Sequence, residues 1–351
     1  MSGGKGTEQK SKRVTITEVA RHAGVSKTSV SRYLGGEIAL LSEHARSRIE
    51  QAVAALAYRP SQMARGLKRG RTRLIGMIVA DILNPYSVAV MHGVEAASRR
   101  HGFTLVVCNT GNDDALELRN LAALQSYSVE GLIVHTVGHN GPELQQAARR
   151  GLSLVLVDRK LPDFDVDMVG LDNLDSGTVA TMHLIDAGYR DLLFVSEPLS
   201  EVSSRIEREA AFRLATNQRA DCRAETLALD VNDAPTLQAA LAQFLGRAGP
   251  GPKAILAGNG VVTLRVTQAL RRLGRRLFAD VGLLGFDELE WSELVGPGIS
   301  TLAQPSYEIG VAAMDCLLRR LQGDGSPPRQ TAFRGRLIAR GSTRLGGPEA
   351  A

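Results

Sequence analysis

The 351 residues are 44% hydrophobic and 23% charged, enough to bury a larger core than one small domain needs. No apolar run is long enough to span a membrane, and the first thirteen residues, MSGGKGTEQKSKR, read as a disordered basic tail and not as a secretory leader. Charge is divided unevenly: residues 1–71 carry 14 Lys/Arg against 5 Asp/Glu, whereas residues 72–351 carry 28 against 32. A basic head on a mildly acidic body points to a nucleic-acid-binding module joined to something that does not bind nucleic acid. Cys108, Cys222 and Cys316 are widely spaced, with no C-x-x-C, and read as reduced thiols of a cytosolic protein, with no metal site or disulfide framework.

The first organised stretch is Thr15 to Leu34, TITEVARHAGVSKTSVSRYL. Thr15 to Glu18 has the T-x-x-E form of a capping box and starts a helix. Ala23-Gly24-Val25 is a tight connector in which Gly24 can take a positive φ. Ser26 is the N-cap of a second helix, whose Val30 and Leu34 face inward at i, i+4. Lys27, Thr28, Ser29, Ser31 and Arg32 then point outward, donors suited to base edges and phosphates. After the Gly35-Gly36-Glu37 loop, Ser42 caps a third helix with Ile49, Val53 and Leu56 on one face, which Tyr58-Arg59-Pro60 ends.

Val19 to Arg32 has the form V-A-x-x-A-G-V-S-x-x-[ST]-V-S-R. Together with Tyr58-Arg59-Pro60 and Ala64-Arg65-Gly66-Leu67 it resembles the DNA-binding headpiece of LacI/GalR-type transcriptional regulators, and the likeness runs through most of the chain. The resemblance implies an all-α helix-turn-helix headpiece plus an α/β two-lobed, periplasmic-binding-protein-like effector domain with parallel sheets. It places Thr15 and Ser26 with the outward set of the second helix at the DNA. Ser61 to Arg71 matches a hinge that folds only on DNA, with Met63, Ala64, Leu67 and Lys68 as contacts and Leu67 as a minor-groove wedge. Physically, Gly66 inside so short a helix costs about 1 kcal/mol against alanine and leaves it marginal alone, and an exposed leucine among Arg65, Lys68 and Arg69 suits a wedge.

From Thr72 the pattern becomes strand, loop, helix, repeated. Leu74–Val79, Thr104–Cys108, Gly131–Val134 and Leu152–Val157 are apolar runs separated by helices over 87–101, 116–126 and 142–150. After Asp172 the alternation restarts, with strands over 192–196, 226–229, 254–257 and 281–284 and helices over 176–187, 203–217, 234–247 and 261–273. Apolar runs separated by helices mean parallel sheets buried on both faces. The expected plan is tail 1–13, helix-turn-helix 14–60, hinge 61–71 and an effector-binding and dimerisation domain 72–345. Within the last, one lobe takes about 72–170 and 304–334 and the other about 171–303 and 335–345, with crossings near Gly170, Gln304 and Arg334.

Ligands of open α/β sheets bind beyond the carboxyl ends of the strands. That rule selects Asp81 with Asn84-Pro85-Tyr86, then Asp158 and Arg159, Arg205, Asn259 and Asp287, hydrogen-bonding groups able to read hydroxyls. The resemblance points to Asp158, Arg205, Asn259 and Asp287 as effector contacts. Arg205 suits a carboxylate or vicinal hydroxyls. Trp291, the single tryptophan, is placed to stack on a ligand or to fill the core, and both readings stay open. Where the family has Asn-Asp, this chain has Asn259-Gly260, which removes a negative charge that would repel an anionic effector. Stretches such as LSEHARSRIE, QMARGLKRGRTRLIGMIVADILNPYSVAVMHGVE and LLGFDELEW resemble regulators of gluconate, 2-ketogluconate and 2-keto-3-deoxygluconate metabolism.

The resemblance therefore implies a homodimeric repressor, released from pseudo-palindromic double-stranded operator DNA by a small keto sugar acid such as 2-ketogluconate, with no cofactor, no metal and no membrane. The competing expectations are a neutral sugar or nucleoside effector, or a solute-binding protein without DNA function. No Walker A loop, G-x-S-x-G, H-E-x-x-H or dinucleotide-binding G-x-G-x-x-G supports an enzyme.

Overall fold

The computed structural model describes residues 14–58, 71–200, 202–274 and 278–345. They divide into two compact units, with the boundary after Thr72.

The first unit is three helices, α1 (Ile16–Ala23), α2 (Lys27–Leu34) and α3 (Glu43–Ala55). Each starts on a hydroxyl cap: Thr15 accepts from the Glu18 N–H, Ser26 from Ser29 and Ser42 from Ala45. Thr15 and Glu18 complete the reciprocal capping box, the Thr15 N–H donating to Glu18 Oε2 over 2.7 Å. Gly24 ends α1 at φ 59°, and a Cβ there would also meet the Arg48 guanidinium laid over the turn. Val19, Ala20, Ala23, Val30, Ile49 and Ala52 form the buried core, with Leu34, Val53 and Leu56 packed against it.

The second unit holds two lobes. The N-lobe strands are β1 (Leu74–Val79), β2 (Thr104–Asn109), β3 (Gly131–Val134), β4 (Ser153–Val157) and β5 (Asp167–Leu171), interleaved with α4 (Pro85–Arg100), α5 (Asp114–Ser126) and α6 (Gly141–Arg149). The C-lobe follows with α7 (Asn173–Asp186), β6 (Asp191–Ser196), α8 (Ser203–Asn217), β7 (Arg223–Ala228), α9 (Ala234–Gly246), β8 (Lys253–Ala257), α10 (Gly260–Arg272), β9 (Gly282–Phe286) and β10 (Ser300–Ala303). The chain returns through α11 (Ser306–Leu321) and β11 (Gln330–Phe333) and ends on β12 (Arg336–Ile338).

One sheet has the order β2-β1-β3-β4-β5-β11, all parallel. The other has the order β7-β6-β8-β9-β10-β12, parallel except for the terminal β10–β12 pair. The two lobes thus repeat one topology, and the chain passes between the sheets at Asp172, at Gln304–Pro305 and at Arg334–Gly335. Because parallel strands all end on the same side, both sets of carboxyl ends are available to one cleft.

The alternation read from the sequence omits β5, β10, β11, β12 and α11. The four strands are short and carry Asp167, Ser300, Gln330 and Arg336, so they lack the continuous apolar run that marks the others. Helix α11 buries Ile309, Ala313, Met314 and Leu317 in the N-lobe core. It crosses α4 backbone to backbone, since a Cβ on Gly93 would lie 2.1 Å from the Tyr307 carbonyl oxygen and one on Gly310 2.1 Å from that of Val90.

Candidate functional site

The N-lobe presents its polar groups where strands end. After β1, Asp81 accepts the Leu83 N–H, and Asn84 accepts the Tyr86 N–H to start α4 on Pro85. The Tyr86 ring is buried against His135, 5.9 Å away and edge-on. Burial and the nearby Asp158 carboxylate push the phenol well above its ordinary range, so it stays a hydroxyl. His135 follows β3, its Nδ1 3.5 Å from Ser87 Oγ and its Nε2 3.3 Å from Asp158 Oδ2. Burial and the Arg159 charge lower its pKa and favour the neutral imidazole.

Asp158 follows β4 at φ 66°. Burial opposes its ionisation, but His135, Arg208 and Arg159 outweigh that and hold it well below the usual carboxylate range. Arg159 donates to the Thr136 carbonyl over 2.8 Å. The buried Glu117 fixes that loop, accepting from the Thr136 hydroxyl, the Val137 N–H and Asn140 Nδ2.

The C-lobe answers from three strand ends. Beyond β6, Glu197 Oε2 accepts from Arg205 over 2.7 Å and from Asn259 Nδ2 over 2.8 Å. Arg205 also donates to the Pro198 carbonyl. Beyond β8, Asn259 caps α10 by accepting the Val262 N–H. Beyond β9, Asp287 sits at φ 72°, accepting the Gly260 N–H over 2.8 Å and Gln304 Nε2 over 2.6 Å. Burial drives the Asp287 pKa upward, more than Arg208 and these two donors can offset. Arg208, buried on α8, stacks 4.3 Å over the Phe286 ring and donates to Asn173 Oδ1 and the Gly258 carbonyl.

Hydrogen bonds also join the lobes directly. The Ser204 hydroxyl donates to Asp158 over 3.2 Å, the Lys160 N–H to Ser203 Oγ over 2.8 Å, and Lys160 Nζ to Glu207 over 2.6 Å.

These groups enclose a cleft of about 550 Å³, the part open to solvent included. Asp81, Asn84, Tyr86, Asp158, Arg159, Arg205, Asn259 and Asp287, expected from the sequence, all line it. Trp291 does not: it lies in a short turn over Glu290–Glu293 and packs on the C-lobe core, which corrects the ligand-stacking reading. Sequence reasoning missed Ser87, Asn112, His135, Glu197, Ser204, Arg208 and Gln304. Three of these had a readable signal: His135 and Glu197 follow strands, and Arg208 is one helical turn after Arg205.

Six buried side-chain polar atoms among the described residues fall short of a well-formed hydrogen bond, and four of them line this cleft; His135 Nε2 and Arg159 Nε still face Asp158 Oδ2 at 3.3 and 3.8 Å, which leaves Tyr86 Oη and Gln304 Oε1 as the unpaired ones there. Buried polar groups are usually paired, so the two unpaired atoms are polar capacity that the described residues do not use. No described cluster of His, Cys, Asp or Glu could hold a metal ion, and no described helix is long and apolar enough to cross a membrane.

In the headpiece, Lys27, Thr28 and Arg32 are exposed on α2, with Ser29 and Ser31 half-buried. Ser26 and Ser29 share a hydrogen bond of 2.9 Å, and the Thr15 hydroxyl is held by Glu18. Met63, Ala64, Leu67 and Lys68 lie outside the described residues.

Residues 15–61 match the bacterial regulatory proteins of the lacI family, and residues 72–340 match the periplasmic binding proteins and sugar binding domain of the LacI family. The chain is 57% identical over 331 residues to the HTH-type transcriptional regulator PtxS of Pseudomonas putida, covering 94% of this chain and 96% of PtxS. It is 40% identical over 329 residues to the regulator KdgR of Bacillus subtilis, covering 93% and 97%. Among solved structures, a lac repressor dimer bound to operator and the anti-inducer ONPF superposes with a TM-score of 0.80 at 22% identity, over 95% of this chain and all of that one. A CelR–cellobiose complex superposes with a TM-score of 0.68 at 25% identity, over 94% of this chain and all of that one.

Proposed function

The chain belongs to the LacI family of bacterial transcriptional regulators, and from that premise we propose that it is a homodimeric repressor controlled by a sugar acid bound between its lobes. Operator DNA and a sugar-type effector are the partner classes of the family. The acid, 2-ketogluconate or a related keto sugar acid, is the finer assignment. The observation that carries it is Arg205 and Asn259 converging on one carboxylate oxygen in a cleft where the buried Tyr86 Oη and Gln304 Oε1 have no partner among the described residues. Tyr86 supplies a hydroxyl donor, Gln304 an acceptor and Arg159 a donor, the mixture that reads a polyhydroxy chain. Ser26 to Arg32 of each protomer would enter a major groove, residues 61–71 would act as the hinge, and twofold symmetry would require a pseudo-palindromic operator. Since effector and operator are linked, an acid that releases DNA is itself bound less tightly by the DNA-bound protein.

Titration calorimetry of 2-ketogluconate, 2-keto-3-deoxygluconate, gluconate and D-glucose into the full chain tests this reading. One acid is expected to bind, and Arg205→Ala is expected to lose it while keeping DNA binding. The second reading, a neutral-sugar effector, is favoured by the cellobiose held by CelR. Binding of D-glucose with no binding of any acid would select it.

A further inference from the structure

The cleft is not cationic. Arg159, Arg205 and Arg208 face Asp81, Asp158, Glu197 and Asp287, so carboxylates outnumber guanidinium groups before any anion arrives. An anionic ligand entering such a space needs either a cation without a partner or a carboxylate that can leave. Asp158 and Asp287 cannot leave: each is buried and held by more than one group on neighbouring elements, Asp158 by Ser204 beside His135, Asp287 by Gly260 and Gln304. Glu197 differs. It lies on the loop after β6, its side chain keeps 24% of its exposure, and both of its hydrogen bonds fall on one oxygen, from Arg205 and Asn259. Its long side chain can reach solvent by rotation alone.

We propose that Glu197 occupies the anion position of the ligand-free cleft, and that the effector binds by exchange, its carboxylate replacing that of Glu197 on Arg205 and Asn259. The inference rests on the sugar-acid reading above and makes Glu197 the residue that an incoming acid must displace. Exchange keeps one negative charge beside Arg205 throughout. A neutral sugar that expelled Glu197 would leave a guanidinium only 17% exposed without its counter-charge, the costly outcome for a partly buried ion. A neutral sugar that left Glu197 in place would have to compete with a carboxylate for the Arg205 and Asn259 donors that face it. An acid meets neither obstacle.

The test is the affinity of 2-ketogluconate and D-glucose for wild type, Glu197→Gln and Glu197→Ala, by calorimetry on the full chain. A neutral amide holds Arg205 less strongly than a carboxylate does, so Glu197→Gln is expected to bind the acid about tenfold tighter. Glu197→Ala shifts in the same direction, D-glucose gains only what the freed Arg205 and Asn259 donors give it and less than the acid does, and adding Arg205→Ala abolishes the gain of the acid. Unchanged or weaker acid binding in both Glu197 variants, with wild type binding the acid, overturns the exchange alone and makes Glu197 a bystander or a direct hydroxyl contact. Absence of acid binding to wild type overturns the sugar-acid reading and the exchange with it.

Discussion

Asp158 and Asp287 hold the same place in the two lobes. Each follows the fourth strand of its sheet order, β4 or β9, each sits at positive φ, and each donates its N–H over 3.0 Å to the adjoining strand, to Val169 in one lobe and Leu302 in the other. Their environments then separate them. His135, Arg208 and Arg159 overcome burial at Asp158 and hold it ionised, whereas burial prevails at Asp287 and raises its pKa. One repeated position thus supplies a firm anion from the N-lobe and a reluctant one from the C-lobe.

The two aspartates should therefore differ in how they couple stability to pH. Asp158, depressed in the folded chain, stabilises above the ordinary carboxylate pKa, and that contribution fades as pH falls below it. Asp287, raised in the folded chain, acts in the opposite sense: stability falls as pH rises from the ordinary value through the raised one. Asp287→Asn should then gain stability relative to wild type as pH rises from 4 to 7, since Gln304 can turn its amide and accept from the new Nδ2. Asp158→Asn should cost about 2–3 kcal/mol at pH 7 and nearly as much at pH 4, the cost shrinking only as pH falls below the ordinary carboxylate range. Urea unfolding at both pH values measures this, and identical pH trends in the two variants would remove the distinction.

Tyr86 offers a sharper contrast between stability and binding. Its hydroxyl is buried and has no partner among the described residues, so it costs desolvation without return in the ligand-free chain. Tyr86→Phe should raise the melting midpoint of the free protein by a few degrees, equivalent to about 1 kcal/mol, while weakening effector binding about tenfold. A variant that loses stability and keeps its affinity would show that the hydroxyl serves the fold.

Trp291 separates packing from ligand contact. Because it packs on the C-lobe core and does not line the cleft, Trp291→Leu should cost about 1–2 kcal/mol of stability and leave effector affinity within about twofold. Calorimetry showing a loss of tenfold or more would return this side chain to the ligand.

Gly24 carries the headpiece turn at φ 59°. Gly24→Ala should destabilise the three-helix unit by about 1–2 kcal/mol, chiefly through the left-handed backbone, because the Arg48 guanidinium at the new methyl can move aside. Hydrogen exchange in the full chain should report about tenfold faster exchange of the α1 and α3 amides, with the protection of β1, β3 and β4 unaltered. Unchanged headpiece protection would contradict the role given to the turn.

Legibility in the sequence followed the strength of the local signal. The buried central strands β1, β3, β4, β6, β8 and β9 are continuous apolar runs and could be read directly. Strands β11 and β12 are short edge strands whose position depends on pairing partners far away in the chain, and no local pattern carries that. In the cleft, the strand-end rule found Asp81, Asp158, Asn259 and Asp287. Glu197 follows β6 just as Asp158 follows β4, but its partner Arg205 lies eight residues on, and no local pattern marks the pair. Sequence leaves Trp291 open between ligand and core because it lies near Asp287, and the turn after β9 lays it, partly buried, against the C-lobe core.

The most direct test of the whole account is a fluorescence anisotropy titration of the full chain bound to an operator duplex recovered by in vitro selection, with 2-ketogluconate added to saturation and D-glucose as the control. 2-Ketogluconate is expected to release the duplex and D-glucose to leave it bound, and Arg205→Ala is expected to bind the duplex normally but fail to release it. Retention of the duplex by wild type at saturating acid, or release that survives Arg205→Ala, would contradict the account.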